Sequence, residues 1–322
     1  MMLRAIITIN SLSRSDMRTN LRPTAAAVLL AAVAGVASAC GSSGSASTTP
    51  PSAVDGVISV VASTNVWGDI VEQVGGDHVD VLSIVSDPSA DPHSFEANAQ
   101  TQLALSKAAL IVENGGGYDD FVDTMLASAK SSAPVVNAVE VSGKDAGTEL
   151  NEHVWYDFPT VDKVAQAIAT ELGSIDPANQ ADFTANAKGF SAALTTLSSQ
   201  VEAVNAAHAG TGVAITEPVP LYLLEAVGLE NLTPEEFSAS IEQDTDVSPT
   251  VLRETLALFT DHKVKALVYN EQTTGPQTEA VLDAATTNSI AVVPVRETLP
   301  EGQDYLQWMQ ANLTAIANAV GG

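Results

Sequence analysis

From Val57 onward, short runs of β-branched and aliphatic residues alternate with stretches at helical spacing, and that alternation limits the fold more than anything else in the chain. VISVVAS, VDVLSIV and AALIVE are short, apolar and bounded by turn residues, so they read as buried strands. Between the first two, WGDIVEQVGG carries helical spacing and closes on glycines, which suit a helix end. FVDTMLASA reads as a further helix and VVNA as a further strand. Strands alternating with helices predict a mostly parallel sheet with helices on its faces.

Two long helical stretches follow His153, VDKVAQAIATELGSI and then ADFTANAKGFSAALTTLSSQVEAVNAAH. The second has no proline and only Gly189 as an interior glycine, and it exceeds an average helix about twofold. A second α/β set then runs through VAIT, KALVYN and IAVVPV, and DYLQWMQANLTAIANAV supplies the last helix. The pattern predicts an α/β fold of two lobes, each a mostly parallel β-sheet flanked by helices, joined by a long helical spine. The expected boundaries are residues 57–183 for the N-terminal lobe, 184–209 for the linking helix and 210–322 for the C-terminal lobe. Two such lobes leave a cleft, and open α/β sheets bind ligands beyond the carboxyl ends of their strands.

The first 56 residues follow different rules. MRTNLRPTAAAVLLAAVAGVASAC places Arg18 and Arg22 before an Ala/Val/Leu stretch that ends on small residues at Cys40. That is the layout of an export signal, too short and too Ala-rich for a membrane span. Residues 1–39 are therefore expected to be a signal peptide; Met17 heads the segment, and the residues before it read as an upstream start-site extension. Cys40 is the only cysteine, so no disulfide forms within the chain. ASAC resembles a bacterial lipobox, which makes Cys40 the expected lipidation site, with residues 40–56 (GSSGSASTTPPS within them) as a flexible tether.

With 39 Asp+Glu against 13 Lys+Arg, the chain lacks the basic face that nucleic acid requires, and that partner is excluded. Cations are the natural counterpart, although acidity alone also serves solubility.

Only five histidines are present. His93 lies in DPHSFEANAQ, just after the VDVLSIV strand, and His153 lies in NEHVWYD, before the first long helix. Glu217 follows VAIT, Glu297 follows IAVVPV, and Glu271 follows KALVYN. Each position suits a cleft-facing loop. Spacing alone leaves open two unrelated loop histidines, because no zinc-finger or HExxH arrangement makes a local metal site.

DPHSFEANAQTQLALSKAALIVENGGGYDDFV resembles the "DPH-x-[YF]-E" block of the metal-specific solute-binding lipoproteins of ABC importers, the zinc- and manganese-binding class. NEHVWYD resembles that family's "N-P-H-x-W-x-D" block, and similarity continues through TEPVPLYLLEAVGL and VVPVRETLPEGQDYLQWMQANL. The resemblance implies one divalent cation held between the lobes by His93, His153, Glu217 and Glu297. Two departures stand out: Pro218 follows Glu217 where a small residue is usual, and Glu297 stands where most members have Asp. Glu271 competes for that fourth place. Asp157 is expected to orient the His153 imidazole, Trp155 and Phe95 to pack, and His78, His208 and His262 to lie away from the metal.

Two imidazoles and two carboxylates without a thiolate accept zinc, manganese or ferrous iron. The carboxylate at Glu217 and the lack of any histidine from Ser128 to Glu152 lean slightly away from a dedicated zinc scavenger. The implied role is capture of one Zn2+ or Mn2+ as transported ligand, without catalysis, and delivery to a membrane permease driven by its ATPase. The expected protein is a monomer, extracytoplasmic and lipid-anchored to the outer face of a bacterial cell membrane. The alternatives are a secreted metal-dependent hydrolase and a surface adhesin-like lipoprotein.

Overall fold

In the computed structural model, residues 56–87, 95, 98–129, 131–144 and 150–321 are described; Cys40 and His93 lie outside them. In the N-terminal half, β1 (Ile58–Thr64), β2 (Val79–Val85), β3 (Leu110–Glu113) and β4 (Val135–Asn137) form a parallel sheet in the order β2-β1-β3-β4. Successive residues of β1 serve opposite faces: Val60 and Ala62 enter the main core, while Val61 joins Leu105, Ile111 and Val122 on the other side. A strand covered on both faces reads as an unbroken apolar run, which is why VISVVAS does not alternate.

Helix α1 (Asn65–Gly75) presses Val66, Trp67, Ile70, Val71 and Val74 into the core and stops where Gly76 takes φ 56°. Helix α2 (Ala99–Lys107) starts at Asn98, whose side chain accepts from the Gln100 and Thr101 amides. Helices α3 (Phe121–Ala129) and α4 (Ala138–Ser142) complete the crossovers.

Helix α5 (Phe158–Ile175) leads to α6 (Gln180–His208). Phe183, Ala187, Phe190, Leu194, Leu197 and Val201 line one buried stripe of α6 at intervals of three and four residues. That helix begins at Gln180, not at 184 as expected, because nothing breaks its pattern until the Asp176–Asn179 turn, where Asn179 Nδ2 donates to Asp176 Oδ2 at 2.6 Å.

The C-terminal half repeats the plan. Strands β5 (Gly212–Ile215), β6 (Glu230–Asn231), β7 (Ala266–Asn270) and β8 (Ala291–Val295) pair in parallel in the order β6-β5-β7-β8. Helices α7 (Leu221–Ala226), α8 (Glu235–Glu242), α9 (Pro249–Thr260) and α10 (Pro276–Thr287) connect them. The last helix, α11 (Tyr305–Gly321), packs against β7 and β8 but also against α1 and α6 of the first half. Asn65 Nδ2 donates to Leu299 O at 2.9 Å while Leu299 N donates back to Asn65 Oδ1 at 2.9 Å, and Tyr305 OH donates to Trp155 O at 2.6 Å. In both sheets the chain leaves the first strand toward one edge and returns on its other side, so the switch points lie between β1 and β3 and between β5 and β7.

Candidate functional site

Glu217 lies two residues past the end of β5, at the second switch point, and Glu297 lies two residues past β8. Parallel pairing puts both strand ends on the same side of the sheet. His153 arrives from the first half, immediately before the tight turn Val154–Tyr156 that starts α5. These three side chains are almost completely buried, at 0% exposure for His153, 1% for Glu297 and 3% for Glu217. Three fully buried ionisable groups are rare outside ion pairs and functional sites.

The first half delivers His153 in one orientation. Its Nδ1 lies 2.7 Å from Asn151 Oδ1, which also accepts the His153 backbone amide at 3.2 Å. Asn151 Nδ2 donates to Pro218 O at 3.0 Å, fixing which end of that amide is oxygen. An amide oxygen only accepts, so Nδ1 carries the proton and Nε2 is turned to the opposite side. The ring is wedged edge-on between Trp155 and Tyr118, with centroids 5.1 and 6.0 Å away. Tyr118 is held by the turn through Gly115, Gly116 and Gly117, all at positive φ; a Cβ at Gly115 would come within 2.3 Å of the Asn137 side chain.

Nε2 of His153 faces carboxylates. Glu297 Oε2 lies 3.8 Å away, and Glu242 Oε1, from the last residue of α8, lies 3.5 Å away. Asn270 Nδ2 donates to the other oxygen of Glu297 at 2.9 Å, and the Glu297 amide donates to Gln272 Oε1 at 2.6 Å. The buried Tyr118 side chain also neighbours Glu297. Ligand atoms about 2.0–2.2 Å from one shared cation stand about 3–3.5 Å apart at octahedral to tetrahedral angles. The separations around Nε2 are close to that spacing. Among the described residues, however, no group of three or more His, Cys, Asp or Glu side chains is arranged to hold a metal ion as it stands.

Burial and crowding shape the charge states. Burial pushes the Glu217 carboxyl up to about 8, helped by the charges of Glu297 and Glu242 and opposed by hydrogen bonds from Asn270 and Thr273. One of its oxygens is buried with no hydrogen-bond partner. For His153, burial works against the charged ring, but the nearby Glu297 and Glu242 carboxylates prevail, and its pKa rises. The cluster therefore has an excess of negative charge that protons or a cation would relieve.

Of the expected site residues, His153, Glu217 and Glu297 come together; His93 and Cys40 lie outside the described residues. The competing Glu271 forms an ion pair with Arg296 at a third-exposed surface position instead. Asp157 does not orient His153. Its carboxylate caps α5, accepting from Thr160 N at 3.2 Å and Thr160 Oγ1 at 2.5 Å, and lies 3.6 Å from Lys144 Nζ. A side chain that caps the helix after the turn is spent there, and Asn151, two residues before the histidine, does the orienting. His78 lies 3.5 Å from Asp182, and His262 occupies a turn at φ 52°. Glu242 was not foreseen, because nothing in SASIEQDTD marks it before the fold brings α8 to the cluster.

The comparisons agree on the fold. A family profile described as "Zinc-uptake complex component A periplasmic" matches residues 60–319. The manganese ABC transporter substrate-binding lipoprotein scaA of Streptococcus gordonii is 25% identical over 315 residues, covering 91% of this chain and 97% of its own. Manganese-binding lipoprotein MntA of Bacillus subtilis (strain 168) is 23% identical over 240 residues, covering 72% and 76%. The laminin-binding adhesin Lmb of Streptococcus agalactiae superposes with a TM-score of 0.70 at 24% identity, over 82% of this chain and 99% of that one. The periplasmic zinc binding protein TroA of Treponema pallidum gives 0.68 at 20% identity, over 82% and 99%. With the profile spanning both sheets and the spine, this chain belongs to the zinc-uptake complex component A family of periplasmic metal-binding proteins.

Proposed function

We propose that this chain is the extracytoplasmic substrate-binding component of an ABC importer, capturing one divalent metal ion, manganese or zinc, and delivering it to a membrane permease and its ATPase. His93, His153, Glu217 and Glu297 hold the ion, and Cys40 carries the lipid that anchors the protein outside the cell membrane. The observation that carries this reading is the buried His153 imidazole, its Nδ1 fixed on Asn151 and its Nε2 turned toward Glu297 of the other half. A neutral imidazole oriented through its far nitrogen is the usual form of a metal-ligating histidine. The excess of buried negative charge is what a dication neutralises.

The family is one of transport components and not of enzymes. Metal analysis of the full chain prepared without chelator tests the reading, with His93→Ala and His153→Ala alongside. One divalent ion per chain, lost in both variants, is the expected result. Full metal content in either variant would overturn the ligand set.

A further inference from the structure

Glu242 is the residue that the resemblance does not account for. It ends α8, where Phe237 and Ile241 anchor the helix in the core of the second half. Asp244 takes φ 49° just beyond, turning the chain away after Glu242 has been delivered. Being one residue after the anchored Ile241, its side chain points about 100° around the helix from the core. There Glu235, Ser238 and Ala239 of the same helix, with Asn151 and Glu152 of the first half, line a cavity of about 800 Å3. Glu242 belongs to both the cavity wall and the cluster.

Three observations make Glu242 more than a surface acid. Both of its carboxylate oxygens are buried, and Oε1 is nearer to His153 Nε2 (3.5 Å) than the Glu297 oxygen is (3.8 Å). Its charge reaches Glu217 and Tyr118 as well as His153, so it acts on the same point as the expected ligands. Independently, Glu217, 3% exposed, keeps one oxygen without a hydrogen-bond partner, and that carboxylate is coupled to Glu297 and Glu242. A buried carboxylate oxygen with nothing to bind is costly, so an occupant of positive charge is the physical complement.

We propose that Glu242 is a further ligand of the captured cation and that it tilts the site toward manganese(II). This rests on the reading of the cluster as a divalent-metal site. Two neutral imidazoles and two carboxylates neutralise a dication; a third carboxylate makes the site anionic and adds one or two oxygen donors. Zinc is satisfied by four ligands in a tetrahedron and gains little from a fifth. Manganese(II) favours six-coordination with hard oxygen donors, so the added carboxylate serves it preferentially and narrows the inherent advantage of zinc. A carboxylate that merely pairs with a protonated His153 would give no such discrimination.

The test is competition of Mn2+ and Zn2+ against a fluorescent chelator on the full chain at fixed pH, for the wild type, Glu242→Gln and Glu242→Asp. Manganese affinity is expected to fall about tenfold or more in both variants, and zinc affinity less than about threefold, the size of loss typical when one supporting group of a metal site is removed. The aspartate variant keeps the charge but withdraws the oxygens, so it separates coordination from electrostatics and stands in should the glutamine variant not fold. An unchanged manganese affinity, a loss confined to glutamine, or an equal loss for both metals would overturn the proposal. Binding of neither metal by the wild type overturns the parent reading together with this one, whereas intact wild-type binding with silent variants overturns this one alone.

Discussion

His153 has one nitrogen committed before any ligand arrives, and that commitment depends on Asn151. The asparagine oxygen holds Nδ1 at 2.7 Å, and its amide reaches Pro218 O, next to Glu217. Tyr222 OH adds a hydrogen bond to Asn151 O at 2.8 Å. One short loop therefore sets both the tautomer of the imidazole and its distance from the carboxylates. Asn151→Ala should weaken metal binding about 10- to 100-fold, as losses of orienting partners do, without abolishing it. Asn151→Asp, which keeps the acceptor, should recover much of the affinity. Isothermal titration decides the matter, and an Ala variant that binds like the wild type would show that Asn151 orients nothing. The sequence displayed the His of NEHVWYD through its family pattern, but it did not display the partner. Asp157 was the expected one because of its spacing; the α5 amino terminus claimed it first, since an uncapped helix start exposes amide groups that an aspartate satisfies well.

At the scale of elements, the turn between β3 and α3 does for Tyr118 what Asn151 does for His153. Asp119 is buried, and its carboxylate accepts the Asn114 and Gly115 amides, each at 2.7 Å. Those bonds hold a run of three glycines in left-handed conformations. Asp119→Ala would leave two amides unsatisfied at about 1–3 kcal/mol each. The unfolding free energy measured in urea should fall by about 2 kcal/mol or more; a change under about 0.5 kcal/mol would mean that the turn holds itself. Three consecutive glycines in NGGGYDDF are themselves a turn signal. The strands too were legible, because burial on both faces leaves only apolar residues to read. Short connecting pieces were not: β6 is two residues long, and α7 six, too brief for any periodicity to show.

The whole molecule carries several carboxyls held above their ordinary range. Burial raises Asp69 to about 6, Glu113 to about 7 and Glu217 to about 8, in each case with neighbouring acids adding to the effect. A carboxyl whose folded pKa exceeds its unfolded value gives stability that is complete below the unfolded pKa and disappears as pH rises through the folded one. Chelated, metal-free protein should therefore lose stability between about pH 5 and 8, by up to about 1.4 kcal/mol per pH unit for each group titrating. Urea midpoints across that range are the measurement. Saturating metal should flatten the decline, because the cation displaces protons from the buried groups and so binds the folded state more tightly as pH rises. Midpoints that stay level or rise with pH in the chelated protein would contradict the assignment of buried, strained acids. The formal charge of −26 adds repulsion, but most exposed acids are already ionised by pH 5, so it contributes little to the slope.

What the sequence determined by itself is whatever depends on local pattern. Alternating β-branched runs and helical stretches specify parallel sheets, the uninterrupted Gln180–His208 stretch specifies a long helix, and the two histidine blocks identify the family. Tertiary structure decided everything that depends on residues distant in the chain meeting at one point. It set two acids that both follow strands in different surroundings, Glu271 beside Arg296 and Glu297 buried beside His153 and Asn270. It also brought in Glu242, whose surroundings in sequence are unremarkable but whose helix ends 3.5 Å from an imidazole numbered 89 residues earlier. Pattern records which face of an element is buried; it does not record what lies opposite, and a charged side chain acquires its role from what lies opposite.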